Sequence, residues 1–136
     1  MYRWIDHTSE LELHVEADSE RAVLEEATRA LSELLRRDED AESNKVGELV
    51  THEVTVDADD RASMLAAWLE ELVFLAETEA TIPEDVRFEV FDGRGLRACV
   101  DARRGNPPHL VKAVTYHRLS FEPRGGGWAA TVVLDV

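Results

Sequence analysis

The sequence lacks most of what would declare a function at once. It holds one cysteine, Cys99, so no intramolecular disulfide can form and a reducing compartment is expected. Positive charge is scarce: 15 Lys and Arg stand against 29 Asp and Glu, a net charge of −14 over 136 residues. Proteins that grip nucleic acid through its phosphates cluster Lys and Arg, as do those that dock on anionic lipid. Direct nucleic-acid binding and membrane docking are therefore not expected. No apolar run approaches the roughly 18 residues that a membrane span needs. The opening Met1-Tyr2-Arg3-Trp4-Ile5-Asp6 has neither the charged nor the apolar region of a secretory signal, so a cytoplasmic protein is expected.

Catalytic motifs are missing as well. There is no P-loop, no G-x-S-x-G elbow and no H-E-x-x-H. Gly93-Arg94-Gly95-Leu96-Arg97-Ala98 fits the loose G-x-G-x-x-A pattern, but dinucleotide binding needs a helix N-terminus after the glycines. Leu96, Ala98 and Val100 read instead as a strand leaving a hairpin turn. The same apolar run suggests that Cys99 is a small buried core side chain. Asp38-x-Asp40-x-Glu42 and Asp57-x-Asp59 begin like calcium loops. The first has Ser43 where Gly is needed and Leu49 where a bidentate Glu is needed; the second has Ala62 and Trp68 there. A linker and a helix start are the simpler readings. The five histidines (His7, His14, His52, His109, His117) show no zinc spacing and read as structural or surface groups. No catalytic residue is assigned.

What is present is periodicity. The length suits a single domain over residues 1–136, burying roughly two-thirds of its unfolded surface. Leu11, Leu13 and Val15 alternate with Glu10, Glu12, His14 and Glu16, a half-buried strand with His14 on its wet face. Asp18-Ser19 offers an N-cap to a helix with an apolar stripe from Ala22 to Leu35, closed by Arg36-Arg37. A second strand spans Val46 to Val56. Asp59-Asp60 open a second helix, whose broad apolar face from Met64 to Ala76 makes it the central core helix, ended by Ile82-Pro83. Strands follow at Val86–Val90, Leu96–Asp101, Val111–Phe121 and Trp128–Val136, with turns at Asp92–Gly95 and Pro123–Gly127 and a loop at Arg103–His109. The fold class is α+β in the order β-α-β-α-β-β-β-β, a mainly antiparallel sheet packed on two helices.

The termini carry the remaining signal. In the last strand Val132, Leu134 and Val136 share one face, and Thr131, Val133 and Asp135 the other. Asp135 beside the terminal carboxylate of Val136 offers hard oxygens to a divalent cation, and Glu10 or Asp6 could add a third if the first and last strands are neighbours. A solvated acid near a chain end is the competing reading.

Tyr2-Arg3-Trp4-Ile5-Asp6-His7-Thr8-Ser9-Glu10 resembles the D-H-T-A-D opening of the archease family. His109-Leu110-Val111-Lys112-Ala113-Val114-Thr115-Tyr116-His117 resembles its central H-x-x-K-A-V-T-Y-H segment, and Trp128 with Thr131 to Val136 its closing V-V-L-D-V. Archeases are small acidic accessory proteins of guanylylating RNA-splicing ligases that join tRNA exon halves. The resemblance implies a non-enzymatic activator that promotes guanylylation of the ligase's active-site histidine and keeps the ligase turning over. It implies a divalent metal, of the calcium or magnesium/manganese class, held by Glu10, Asp135 and the oxygens of Val136. Glu10 stands where the family has Asp, one methylene shorter, and Ser9 where it has Ala. The matching Asp6, His7, His109, Lys112 and His117 are candidates for touching the partner, and a monomer is expected. Two other readings stand beside this one: a metal-dependent phosphoester hydrolase using Glu10, Asp135 and His7, and a chaperone-like interaction module.

Overall fold

Alternating and 3.6-residue apolar patterns resolve into seven strands and two helices in a computed structural model, which describes residues 1–36, 47–92, 94–105, 107 and 111–136. In chain order these are β1 (Tyr2–His7), β2 (Glu10–Ala17), α1 (Glu20–Arg36), β3 (Leu49–Asp57), α2 (Arg61–Thr78), β4 (Thr81–Phe91), β5 (Gly95–Arg104), β6 (Ala113–Arg124) and β7 (Gly127–Asp135). The α+β class, the two helices and the antiparallel pairing agree with the sequence reading. The acidic segment at 38–42 and His109 lie outside the described residues.

The strands form two sheets rather than one. Sheet A has the order β1-β2-β7-β6 and sheet B the order β3-β5-β4, with every pair antiparallel. Strand β1 was not foreseen. It is an edge strand that turns only Tyr2 and Trp4 toward the core, too short an apolar alternation to stand out. Its hairpin to β2 is made by Thr8 and Ser9, with Ser9 in the left-handed region at φ 60°. The β6–β7 turn uses Gly125 and Gly126, both at positive φ, as a two-residue hairpin turn demands.

Helix α1 begins where Ser19 Oγ accepts the N–H of Ala22, 3.1 Å away, and α2 where Asp60 accepts that of Ser63, 2.7 Å away. Each helix packs on strands of both sheets: α1 on β2 and β4, α2 on β6, β4 and β3. Helix α2 buries Met64, Leu65, Ala66, Trp68, Leu69, Leu72, Val73 and Ala76 and leaves Glu70, Glu71 and Glu77 to solvent. It ends at Thr78, earlier than Ile82-Pro83 suggested, because Ala80 adopts a left-handed φ of 51° and reverses the chain. Ile82 and Pro83 belong to β4, an edge strand with a register shift after Pro83, where a residue without an N–H is tolerated. Cys99 is also not in the core. Leu96, Ala98 and Val100 are buried, so alternation turns Cys99 to the outer face of sheet B, with Sγ 3.2 Å from Glu89 Oε1.

The core is one cluster drawing on both sheets and both helices. At its centre Trp68 has no exposed surface, and its ring lies 5.5 Å from that of Phe88. The indole N–H donates to Thr28 Oγ1 at 2.9 Å, and that hydroxyl donates to Leu24 O at 2.7 Å. The one polar atom of the largest core side chain is thus satisfied by a neighbouring helix. No helix among the described residues is long and apolar enough to cross a membrane. Thr28→Val keeps the shape but leaves the indole N–H buried and unpaired. Urea unfolding should register a loss of about 1–3 kcal/mol for Thr28→Val, and much less for Thr28→Ser, which keeps the acceptor.

Candidate functional site

The β1–β2 hairpin and the last residues of the sequence meet at one end of sheet A. There the register places His7, Glu10, Asp135 and Ala113 in one row across β1, β2, β7 and β6. Opposed residues share a face, so His7, Glu10 and Asp135 point outward, away from the core-facing Leu11 and Leu134. Glu10 and Asp135 are direct cross-strand partners. Antiparallel geometry puts their Cβ atoms about 4.5–5.5 Å apart, and like charges so placed destabilise the pairing. Val136 is tied in by its N–H, which donates to Ser9 O at 3.1 Å, and Asp135 O accepts the N–H of Lys112 at 2.8 Å.

The other candidates fall around this row. The Lys112 and His117 side chains are exposed. Asp6 is exposed but lies opposite Leu11, on the face that Glu10 and Asp135 do not share. Among the described residues, no three His, Cys, Asp or Glu side chains converge as a ready-made metal cage. The donor set that is present, two carboxylates with main-chain oxygens beside them, is the chemistry of a hard divalent cation rather than of zinc.

One row further along lies a carboxylate that sequence reasoning passed over. Glu12 is 9% exposed although it points outward. His14 Nε2 donates to its Oε2 at 2.5 Å, His7 Nε2 lies 3.5 Å from its Oε1, and Arg118 Nε forms an ion pair with Oε1 at 2.9 Å. The hydrogen bond from His14 holds the Glu12 pKa below its ordinary 4.5, against the opposing effect of burial; the charges of Arg118, His14 and His7 act in the same direction as that bond. His14 is therefore a half-buried member of this cluster rather than a purely wet side chain.

Arg118 comes from an irregularity in β6. Thr115 faces Val133 and Ser120 faces Thr131, so four β6 residues stand where β7 has one. Arg118 sits in this bulge at φ 58°, a left-handed conformation that branched and bulky residues rarely take. To reach Glu12 on β2 its side chain crosses over β7, and Val133, directly opposite Glu12, has no exposed surface. Its Nη2 also lies 3.8 Å from Glu10 Oε2. A cavity of about 230 Å³ opens further along the same face, lined in part by Arg3, His14, Ser120, Arg124 and Thr131, but by neither Glu10 nor Asp135.

Residues 2–136 match the sequence profile of the Archease protein family. This chain belongs to the archease family. It is 32% identical to the archease of Archaeoglobus fulgidus, with 99% of this chain and 98% of that protein covered. It is 33% identical to the archease of Pyrococcus abyssi over the whole of both chains. Among solved structures, protein 1598 of Methanobacterium thermoautotrophicum superposes with a TM-score of 0.69 at 26% identity, covering 99% and 98% of the two chains. An archease of Thermotoga maritima, described as a possible chaperone, has the same fold, with a TM-score of 0.65 at 22% identity over 97% and 94%. The two-sheet, two-helix arrangement is thus the archease fold.

Two measurements follow from this geometry. Asp135→Asn removes the like-charge opposition and should raise stability to urea by roughly 0.2–1 kcal/mol in the presence of a chelator. A clear loss of stability would show that the two carboxylates do not repel. Glu12 has a lowered pKa in the fold, so the stability it contributes is complete above its ordinary 4.5 and is lost as pH falls through the lowered value. The difference in unfolding free energy between wild type and Glu12→Gln should therefore be largest above pH 4.5 and shrink in more acidic solution.

Proposed function

We propose that this archease is the accessory protein of a guanylylating RNA-splicing ligase. It promotes transfer of a guanylyl group to the ligase's active-site histidine and sustains multiple turnover, without catalysing a reaction itself. The observation that carries the reading is the direct pairing of Glu10 with Asp135 on the outer face of sheet A. Opposed carboxylates on an exposed sheet end disfavour folding unless a cation offsets them, which suits a metal-binding role. Glu10, Asp135 and the main-chain oxygens of Val136 would hold a divalent ion of the calcium or magnesium/manganese class. When bound, such an ion supplies positive charge that phosphoryl and nucleotidyl transfer require.

The chain's own residues have separate tasks in this reading. Glu10 and Asp135 hold the ion at the edge of the molecule, where a partner can reach it. His7, Lys112 and His117, exposed around the row, contact the ligase. The net charge of −14 favours approach to a basic, RNA-binding surface and disfavours direct hold on the RNA.

The test is a ligation assay with GTP, a divalent metal and excess RNA. Wild type present below the ligase concentration should raise the number of RNA joints made per ligase. Asp135→Ala should lose most of that stimulation, and unchanged stimulation would sink the carboxylate mechanism. The assay also separates the other readings. Phosphoester cleavage without any ligase would indicate a hydrolase. Suppressed aggregation of unrelated proteins would indicate a general chaperone, the role suggested for the Thermotoga maritima protein.

A further inference from the structure

We infer that Arg118 is a built-in counter-cation of the Glu10–Asp135 site, anchored on Glu12, and that it sets how strongly a divalent cation can bind there. The inference rests on the cation reading above and deepens it. Glu12 is fully engaged: one oxygen takes His14, and the other takes Arg118 Nε with His7 beyond it. Glu10 is not, since among the described residues the one ion pair it makes is with the far end of the same guanidinium, at 3.8 Å. Arg118 thus spans two carboxylates, 2.9 Å from the inner one and 3.8 Å from the outer one. Its side chain is 45% exposed and Glu10 is 38% exposed, so an ion from solution can reach the same oxygens.

The backbone supports a dedicated role. A plain strand would keep residues 116–119 in register with β7, and an arginine there could not cross to β2 in this way. The extra β6 residues and the left-handed Arg118 let the guanidinium cross the Val133 row and come within reach of both acids of β2. An arginine fork suits this placement because its Nε and Nη donors diverge, whereas a lysine ammonium is a single point of charge. A dication arriving at Glu10 meets that guanidinium and is repelled by it. The offset is partial, because the site is half open to water and salt.

The experiment measures Ca²⁺ binding by titration calorimetry at low ionic strength, with wild type, Arg118→Ala, Arg118→Asn, Arg118→Lys and Glu10→Gln. Asparagine is included because it tolerates the left-handed backbone, so a folded variant without the charge is available. Arg118→Ala and Arg118→Asn should bind Ca²⁺ roughly tenfold more tightly than wild type, an effect that fades as salt is raised. Arg118→Lys should fall between, and Glu10→Gln should bind weakly whatever the salt. If Glu10→Gln loses binding while the Arg118 variants bind no more tightly than wild type, the counter-cation role is overturned and the cation site survives. If neither wild type nor the Arg118 variants bind Ca²⁺, both readings fall together.

Discussion

The pairing of β2 with β7 is the constraint on which the rest depends. It joins residues 10–17 to residues 128–135, almost the full length of the chain apart. Closing so long a loop has an entropic cost that must be offset by burial. Leu11, Leu13 and Val15 on one strand and Ala130, Val132 and Leu134 on the other supply that burial, facing the core. A slip of one residue would turn Glu10 and Glu12 inward and the leucines outward. The hydrophobic pattern that secures the core therefore also secures Glu10 opposite Asp135. The placing of Glu10 opposite Asp135 is a consequence of core packing.

The outer face of sheet A then has to accommodate what the inner face dictates. Glu10, Glu12 and Asp135 are forced into adjacent rows, and three acids so placed repel. The protein answers with groups from three separate elements: the imidazoles of His7 on β1 and His14 on β2, and the guanidinium of Arg118 from the β6 bulge. The compensation is uneven. Glu12, the most buried of the three, receives all of them, as expected where an unpaired charge would cost most. Charge left over at Glu10 and Asp135 lies at the half-exposed edge, where the cost is smallest.

How much of this could be read from the residues differs from element to element. Helix starts at Ser19 and Asp60 and the Gly125-Gly126 turn have local chemical causes, and all were visible. The meeting of Glu10 and Asp135 followed from placing the first and last apolar alternations side by side. The strand at Tyr2–His7 was hidden because an edge strand needs only two inward side chains. Division into two sheets was hidden because period-2 patterning fixes which face is buried, not which strand is the neighbour. Cys99 was misplaced although Leu96, Ala98 and Val100 already marked it as the odd residue of the alternation. The outward placement of Glu12 was legible by the same count. Its clamp was not, because Arg118 reaches it only through a bulge set by the register of β6 on β7.

The location of the site bears on what kind of function it can serve. Enzyme sites are usually concave and screened from water, so that fixed charges act strongly on a bound substrate. Glu10 and Asp135 lie on an open sheet end, and the 230 Å³ cavity on that face is lined by other residues. Two carboxylates and a few main-chain oxygens fall short of the six to eight oxygens that Ca²⁺ takes, and of the octahedron that Mg²⁺ demands. An ion held here would keep open positions facing outward. Such incompleteness is a defect in a structural metal site, but it is an asset in a protein that acts on another. On the proposed reading, the missing ligands would come from a partner's carboxylates or from a nucleotide's phosphates, and the ion would bind most tightly when the two proteins are together.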